Sequence, residues 1–349
     1  MDTAAAKDKL CRHTPLWLAS LAALGVLAFN VSVCALVGTP ARAGPGRTGA
    51  APFGSGLYEE EARGNDFGMD WRHCVQVVAN LRAEPPDVPL VVLLGGSSAR
   101  ECTVLDADWA AQITRRGGPE VLAYNLGSKH RSYAQDLAFV KLLPRTPTIV
   151  YIGVNLGRFC LPPSSPTVRL PNPHPLASYP QHVYSRQRIL SAAQKRSYVS
   201  YWIAQRWPEL QTNYRYELGI LEQIIRTCKR RHLRVVLLDL PRDLPIIGDA
   251  FDAPVARYHG GCSLLARRYD VPWVNFVAAA HLVDRDFFDL FHLVEPGRAK
   301  YQRLLSDQTI RLLKRYEMPA PAPSPTPTPT PMVTSSPTRP ANVPRAERR

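Results

Sequence analysis

Leu90-Val91-Val92-Leu93-Leu94-Gly95-Gly96-Ser97-Ser98 is the stretch from which the rest of the chain can be read. Its apolar part is continuous rather than alternating, as expected of a strand buried on both faces of a parallel sheet. Pro89 precedes it, a position where a strand tolerates proline. Gly95-Gly96 permits a tight turn, which leaves Ser97 at the carboxyl end of the strand. Open parallel sheets bind their ligands at that end. A serine hydroxyl is a weak nucleophile until a base sits beside it. The plain alternative is a strand-to-helix loop capped by a serine. Ser98 is a rival nucleophile, and Gly95 ending the strand favours Ser97.

A candidate base lies near the other end of the chain. Asp289-Leu290-Phe291-His292 follows Asp286-Phe287-Phe288 and precedes Leu293-Val294-Glu295-Pro296-Gly297. A carboxylate three residues from a histidine can hold the ring in one tautomer. The same Asp could instead cap a turn before the helix expected from Pro296. Two further strand ends add amide donors. Tyr124-Asn125-Leu126-Gly127 follows the strand-like Val121-Leu122-Ala123, and Ile149 to Ile152 ends in Gly153-Val154-Asn155. A tetrahedral intermediate needs preorganised N–H donors around one oxygen. The Ser97 and Gly127 backbone amides and the Asn155 side chain would supply three.

With these four blocks in this order, the chain resembles the SGNH (GDSL-type) hydrolase superfamily over roughly residues 88–315. The resemblance implies Ser97 as nucleophile, His292 as general base, Asp289 as its orienting carboxylate, and Ser97, Gly127 and Asn155 as the oxyanion hole. It also implies a flavodoxin-like strand order, 2-1-3-4-5. Two departures stand out. Gly96 occupies the place of the usual Asp of the first block, and Ser128-Lys129-His130-Arg131 is bulky and basic where the family often has small residues.

The remaining pattern predicts an α/β fold, a three-layer α/β/α sandwich on a parallel five-stranded sheet. Apolar runs at 90–94, 121–124, 149–152, 235–240 and 271–276 alternate with helix-like stretches at 133–142, 215–231, 255–269 and 296–316. The domain expected over 65–316, about 250 residues, is long enough for one well-filled core.

Flanking segments predict a membrane location. Leu16 to Val37 is almost continuously apolar after Lys7, Lys9 and Arg12, so 1–37 reads as a cytoplasmic stub with a transmembrane or signal helix. Ala41-Arg42-Ala43 offers the alternative of signal cleavage and secretion. Residues 38–64 read as a linker, and 317–349 as a disordered Pro/Thr-rich tail. The formal net charge of +14 suits anionic polymers or a membrane surface, and no nucleic-acid motif is present.

An insert after Asn155 is rich in proline over 162–180 and then carries Tyr184, Arg186, Arg188, Lys195, Arg196, Tyr198, Tyr201, Trp202, Arg206 and Trp207. Aromatics interleaved with cations suit sugar or phosphate contact, and serve equally as the packing face of a helix. Cys102 and Cys160 each follow a strand-end block and could form a disulfide. No zinc-ligand spacing or P-loop lysine occurs, so no metal or organic cofactor is expected.

The expected function is an exported serine esterase acting on an acyl ester, with a short acyl group on an envelope polysaccharide as the preferred substrate. Resolution of the acyl-enzyme by a sugar hydroxyl would make it an O-acyltransferase instead. A catalytically silent envelope-binding protein with the same fold is the alternative from another class.

Overall fold

The computed structural model describes residues 68–129, 131–175 and 189–318. The apolar run 16–37, the linker 38–64, His130, Tyr184, Arg186, Arg188 and the tail from 319 lie outside the described residues. Among the described residues, no helix is long and apolar enough to cross a membrane.

Five strands form one parallel sheet: β1 (Leu90–Gly95), β2 (Leu122–Gly127), β3 (Thr148–Val154), β4 (Arg234–Asp239) and β5 (Trp273–Asn275). Their order is β2-β1-β3-β4-β5, the order that the resemblance implies. Each of the five apolar runs contains a strand. The last is cut to three residues. Pro272 ahead of it has no N–H to give a ladder. The Asn275 side chain accepts from the Val277 amide at 2.8 Å and turns the chain away.

Helices cover both faces: α1 (Gly68–Ala83), α2 (Ser97–Arg100), α3 (Asp106–Arg115), α4 (Tyr133–Leu142), α5 (Ala192–Tyr201), α6 (Trp207–Arg230), α7 (Leu244–Ile247), α8 (Asp252–Tyr269) and α9 (Glu295–Arg315). Strand side chains alternate between the two layers. Leu90, Val92 and Leu94 enter a core shared with α1, α4, α6 and α8. Val91 and Leu93 face Trp109 and Ile113 of α3 and Leu305 and Ile310 of α9. Burial on both sides is the reason that these strands read as unbroken apolar runs.

Local chemistry sets the helix boundaries. Ser132 with Gln135 and Ser191 with Gln194 form capping boxes that start α4 and α5. Pro296 lies in the first turn of α9, where proline costs no hydrogen bond. Helix α6 starts at Trp207, earlier than the expected Arg215, and a single π-helical turn, Trp202–Arg206, joins it to α5 just ahead of Pro208, whose missing N–H interrupts the regular ladder.

The expected Cys102–Cys160 disulfide is absent, and all five described cysteines are free and buried. The two thiols belong to different layers, Cys102 with the α3/α9 core and Cys160 with the α6/α8 core. Each has a local acceptor instead: Cys102 Sγ donates to Ser98 O at 3.3 Å, and Cys160 Sγ to Leu156 O at 3.4 Å.

Candidate active site

The parallel register brings the strand ends level. Gly95 of β1 aligns with Gly127 of β2, and Val154 of β3 with Asp239 of β4. Ser97 opens α2 directly beyond β1, and Asn155 follows β3. The Asp289–His292 loop closes over this edge from the far end of the chain. Ser97 Oγ lies 2.8 Å from His292 Nε2. The other ring nitrogen, Nδ1, is 2.8 Å from Asp289 Oδ2 and 2.9 Å from Oδ1. Ser97, His292 and Asp289 are thus in continuous hydrogen-bond contact, with Ser97 and His292 195 residues apart in sequence.

Asp289 is held firmly. Its Oδ1 accepts the Phe291 amide at 2.8 Å and the His292 amide at 2.9 Å. Burial pushes its carboxyl up, but the His292 charge and these hydrogen bonds outweigh burial and hold it below the ordinary carboxylate value. Burial likewise opposes charge on His292. The Asp289 carboxylate overcomes that, aided by the more distant Glu101 and opposed by Arg100, so His292 titrates above its ordinary value of 6.5. Asp289 thereby favours the charged form of the His292 ring.

Ser98 is placed differently. It is buried at 4 % exposure, and its Oγ accepts Asn155 Nδ2 at 3.1 Å. Asn155 also caps the following 3-10 turn, Leu156–Cys160, by accepting the Arg158 amide at 3.1 Å on Oδ1. Of the two rival serines, Ser97 is the one beside the base. Its amide belongs to the first turn of α2, where N–H groups have no intrahelical partner.

Gly127, expected as an oxyanion donor, has its amide engaged within β2. Its amide donates to Asn125 Oδ1 at 3.0 Å. The glycine is required for close approach, since a Cβ at 127 would collide with the Arg100 backbone. Asn125 is the fastener of this corner. Its Nδ2 reaches Ala99 O, Arg100 O and Thr103 Oγ1 at 2.8–3.0 Å, tying β2 to the helix that carries Ser97.

In the segment after Gly127, Lys129 is half-buried and His130 lies outside the described residues. Ser128 and Arg131 are fully buried. Arg131 Nε pairs with Asp136 Oδ1 at 2.6 Å, and Arg158 Nη2 with Asp136 Oδ2 at 2.5 Å. Arg158 also donates to Gly153 O at 2.6 Å and to Arg131 O at 3.3 Å, and its side chain lies against Gly96. One guanidinium thus ties the end of β3 to the loop after β2 and to Asp136 of α4, beside the Gly95-Gly96 turn. Sequence reading missed Arg158 and Asp136, since nothing local distinguishes a buried arginine from an exposed one.

The aromatic insert also turns inward. Trp202 is 6 % exposed, with its ring 4.8 Å from Phe291 and 6.0 Å from Phe251. Lys195 is wholly buried, and Arg206 pairs with Glu209. The packing face of a helix describes Lys195 and Trp202.

No protein-family model matches the chain, and no curated protein matches it. Solved structures do. The chain is similar to GDSL-type ester hydrolases. The lipase/acylhydrolase from Enterococcus faecalis shares 14% identity at a TM-score of 0.37, with 66% of this chain and 97% of that chain covered. A GDSL-like lipase from Bacteroides thetaiotaomicron shares 13% at 0.38, over 70% and 98%. A catalytic mutant of an acetylxylan esterase from Geobacillus stearothermophilus shares 11% at 0.40, over 62% and 93%.

Proposed function

We propose that this chain is an SGNH-type serine ester hydrolase working through Ser97, His292 and Asp289. The observation that carries the reading is the unbroken contact from Ser97 Oγ through the His292 ring to Asp289. His292 Nε2 would take the Ser97 proton as Oγ attacks an ester carbonyl. The Ser97 amide and the Asn155 side-chain amide are the donors for the resulting oxyanion. Collapse expels the alcohol, protonated by His292, and leaves an acyl-enzyme that water attacks with His292 again as base. The Asn155 amide would turn from Ser98 Oγ, or use its second proton, to serve this oxygen.

The preferred substrate is a short acyl ester on an envelope polysaccharide, met by a domain exported behind the apolar segment 16–37. The formal charge of +14 supports it, since a cationic protein concentrates near anionic polymers.

Labelling with a fluorophosphonate tests the site. The adduct is expected on Ser97, abolished in Ser97→Ala and strongly slowed in His292→Ala. An adduct on Ser98, or labelling indifferent to His292, would overturn the assignment. Release of acetate from acetylated glycans then tests the substrate.

A further inference from the structure

Lys195 projects from α5 into the interior and has no solvent exposure. A buried ammonium carries a heavy desolvation cost and persists only when its protons are fully engaged. Here Nζ has four acceptors for three protons. They are Asp243 Oδ2 at 2.9 Å, Asp284 O at 2.9 Å, Asp284 Oδ1 at 2.5 Å and Phe287 O at 3.0 Å.

These acceptors lie on both sides of the catalytic loop. Asp284 and Phe287 belong to the chain that runs directly into Asp289 and His292. Asp243 lies between β4 and α7, and its amide donates to Leu290 O at 2.9 Å, inside the Asp289–His292 block. Just ahead of α5, the Leu190 amide donates to Phe288 O at 2.9 Å, and the Phe288 amide closes back onto His292 O at 2.8 Å. The loop is thus suspended between the insert, the β4 corner and itself, with one ammonium at the junction. An apolar side chain of similar size would fill the space at lower desolvation cost but could not fix three carbonyl and carboxylate directions at once.

We propose that Lys195 is a positioning residue for the triad, holding the 284–292 loop so that His292 Nε2 meets Ser97 Oγ. The proposal rests on the Ser-His-Asp reading above. It places part of the catalytic apparatus in the insert, 97 residues before the base in sequence but directly beneath its loop, at a position no family block marks. Small displacements matter, because a misplacement of about 1 Å costs on the order of 100-fold in rate.

The experiment compares wild type, Lys195→Met/Asp243→Asn and Lys195→Arg. The double variant removes both buried charges together, so neither is left stranded. The readouts are Tm, kcat and KM on p-nitrophenyl acetate per fluorophosphonate-titrated site, and the crystal structure of the double variant. The expected result is a folded double variant with KM little changed, kcat down by about 10- to 100-fold, and His292 Nε2 drawn out of hydrogen-bond range of Ser97 Oγ. Lys195→Arg keeps the charge but cannot reproduce the point contacts, and is expected to fold with kcat reduced about 10-fold. Wild-type kcat in either folded variant, or an undisturbed His292–Ser97 contact in the crystal, overturns the role of Lys195. If the double variant does not fold, Lys195→Arg alone decides. A wild type that neither labels at Ser97 nor turns over ester defeats the hydrolase reading instead, and the crystal structure still judges the positioning of the loop.

Discussion

Replacing Asp289 by Asn tests the triad with almost no change of shape, and the structure says which way the new amide must point. Asp289 Oδ1 accepts two backbone amides, from Phe291 and His292. An Asn side chain has only one oxygen, and those two fixed donors claim it. Its NH2 is then forced to the Oδ2 position, 2.8 Å from His292 Nδ1. Two donors cannot face each other, so Nδ1 must become the acceptor and the ring proton must move to Nε2. The base then presents N–H, not a lone pair, to Ser97 Oγ.

A wrong tautomer in a serine triad lowers kcat by about 10⁴, or roughly 5 kcal/mol at the transition state. Stability should hold, because both backbone amides keep an acceptor. Asp289→Ala would instead strand two buried N–H groups at roughly 1–3 kcal/mol each, and so confound folding with chemistry. The assay is the pH dependence of kcat/KM on a small ester. Wild-type activity is expected to rise with pH through a limb above 6.5, since neutral His292 is the active form and its pKa is raised. In Asp289→Asn the carboxylate is gone and burial remains, so the residual limb moves down. A loss of less than tenfold, or a limb that does not move, would refute the reasoning.

Glu217 offers a stability prediction. It is wholly buried, and burial, the largest influence, with Asp136 adding and Arg158 opposing, raises its pKa from 4.5 to about 7. An acid with a raised folded-state pKa contributes most below its unfolded value, and that contribution is lost as pH climbs from about 4.5 through 7. Glu217→Gln stays neutral, so in urea unfolding its advantage over wild type should grow across this window by up to roughly 1.4 kcal/mol per pH unit. A pH-independent difference would count against it. Trp202→Ala removes a buried indole from beneath Phe291 and is expected to destabilise by about 3–5 kcal/mol. Any activity loss should then be equal on small and large esters, whereas a selective loss on large esters would restore a substrate-facing role.

Sequence alone carried the alternation of strands and helices and the identity of three strand-end blocks and the Asp289–His292 block. Both are local properties: continuous apolar runs record burial on two faces, and Gly-Gly-Ser, Gly-x-Asn and Asp-x-x-His record chemical types at fixed spacing. Even the pairing of Asp289 with His292 was legible, because three residues of separation suffice to bring them together. Tertiary structure decided everything that depends on distance across the chain. It set Ser97 rather than Ser98 beside His292, 195 residues away, assigned the Gly127 amide to Asn125, and put Cys102 and Cys160 in different layers. It also turned Arg131, Arg158 and Lys195, indistinguishable in sequence from solvated surface cations, into buried braces. A charge declares its role only through the partner it meets and the water it loses, and both are fixed by packing, not by neighbours in sequence.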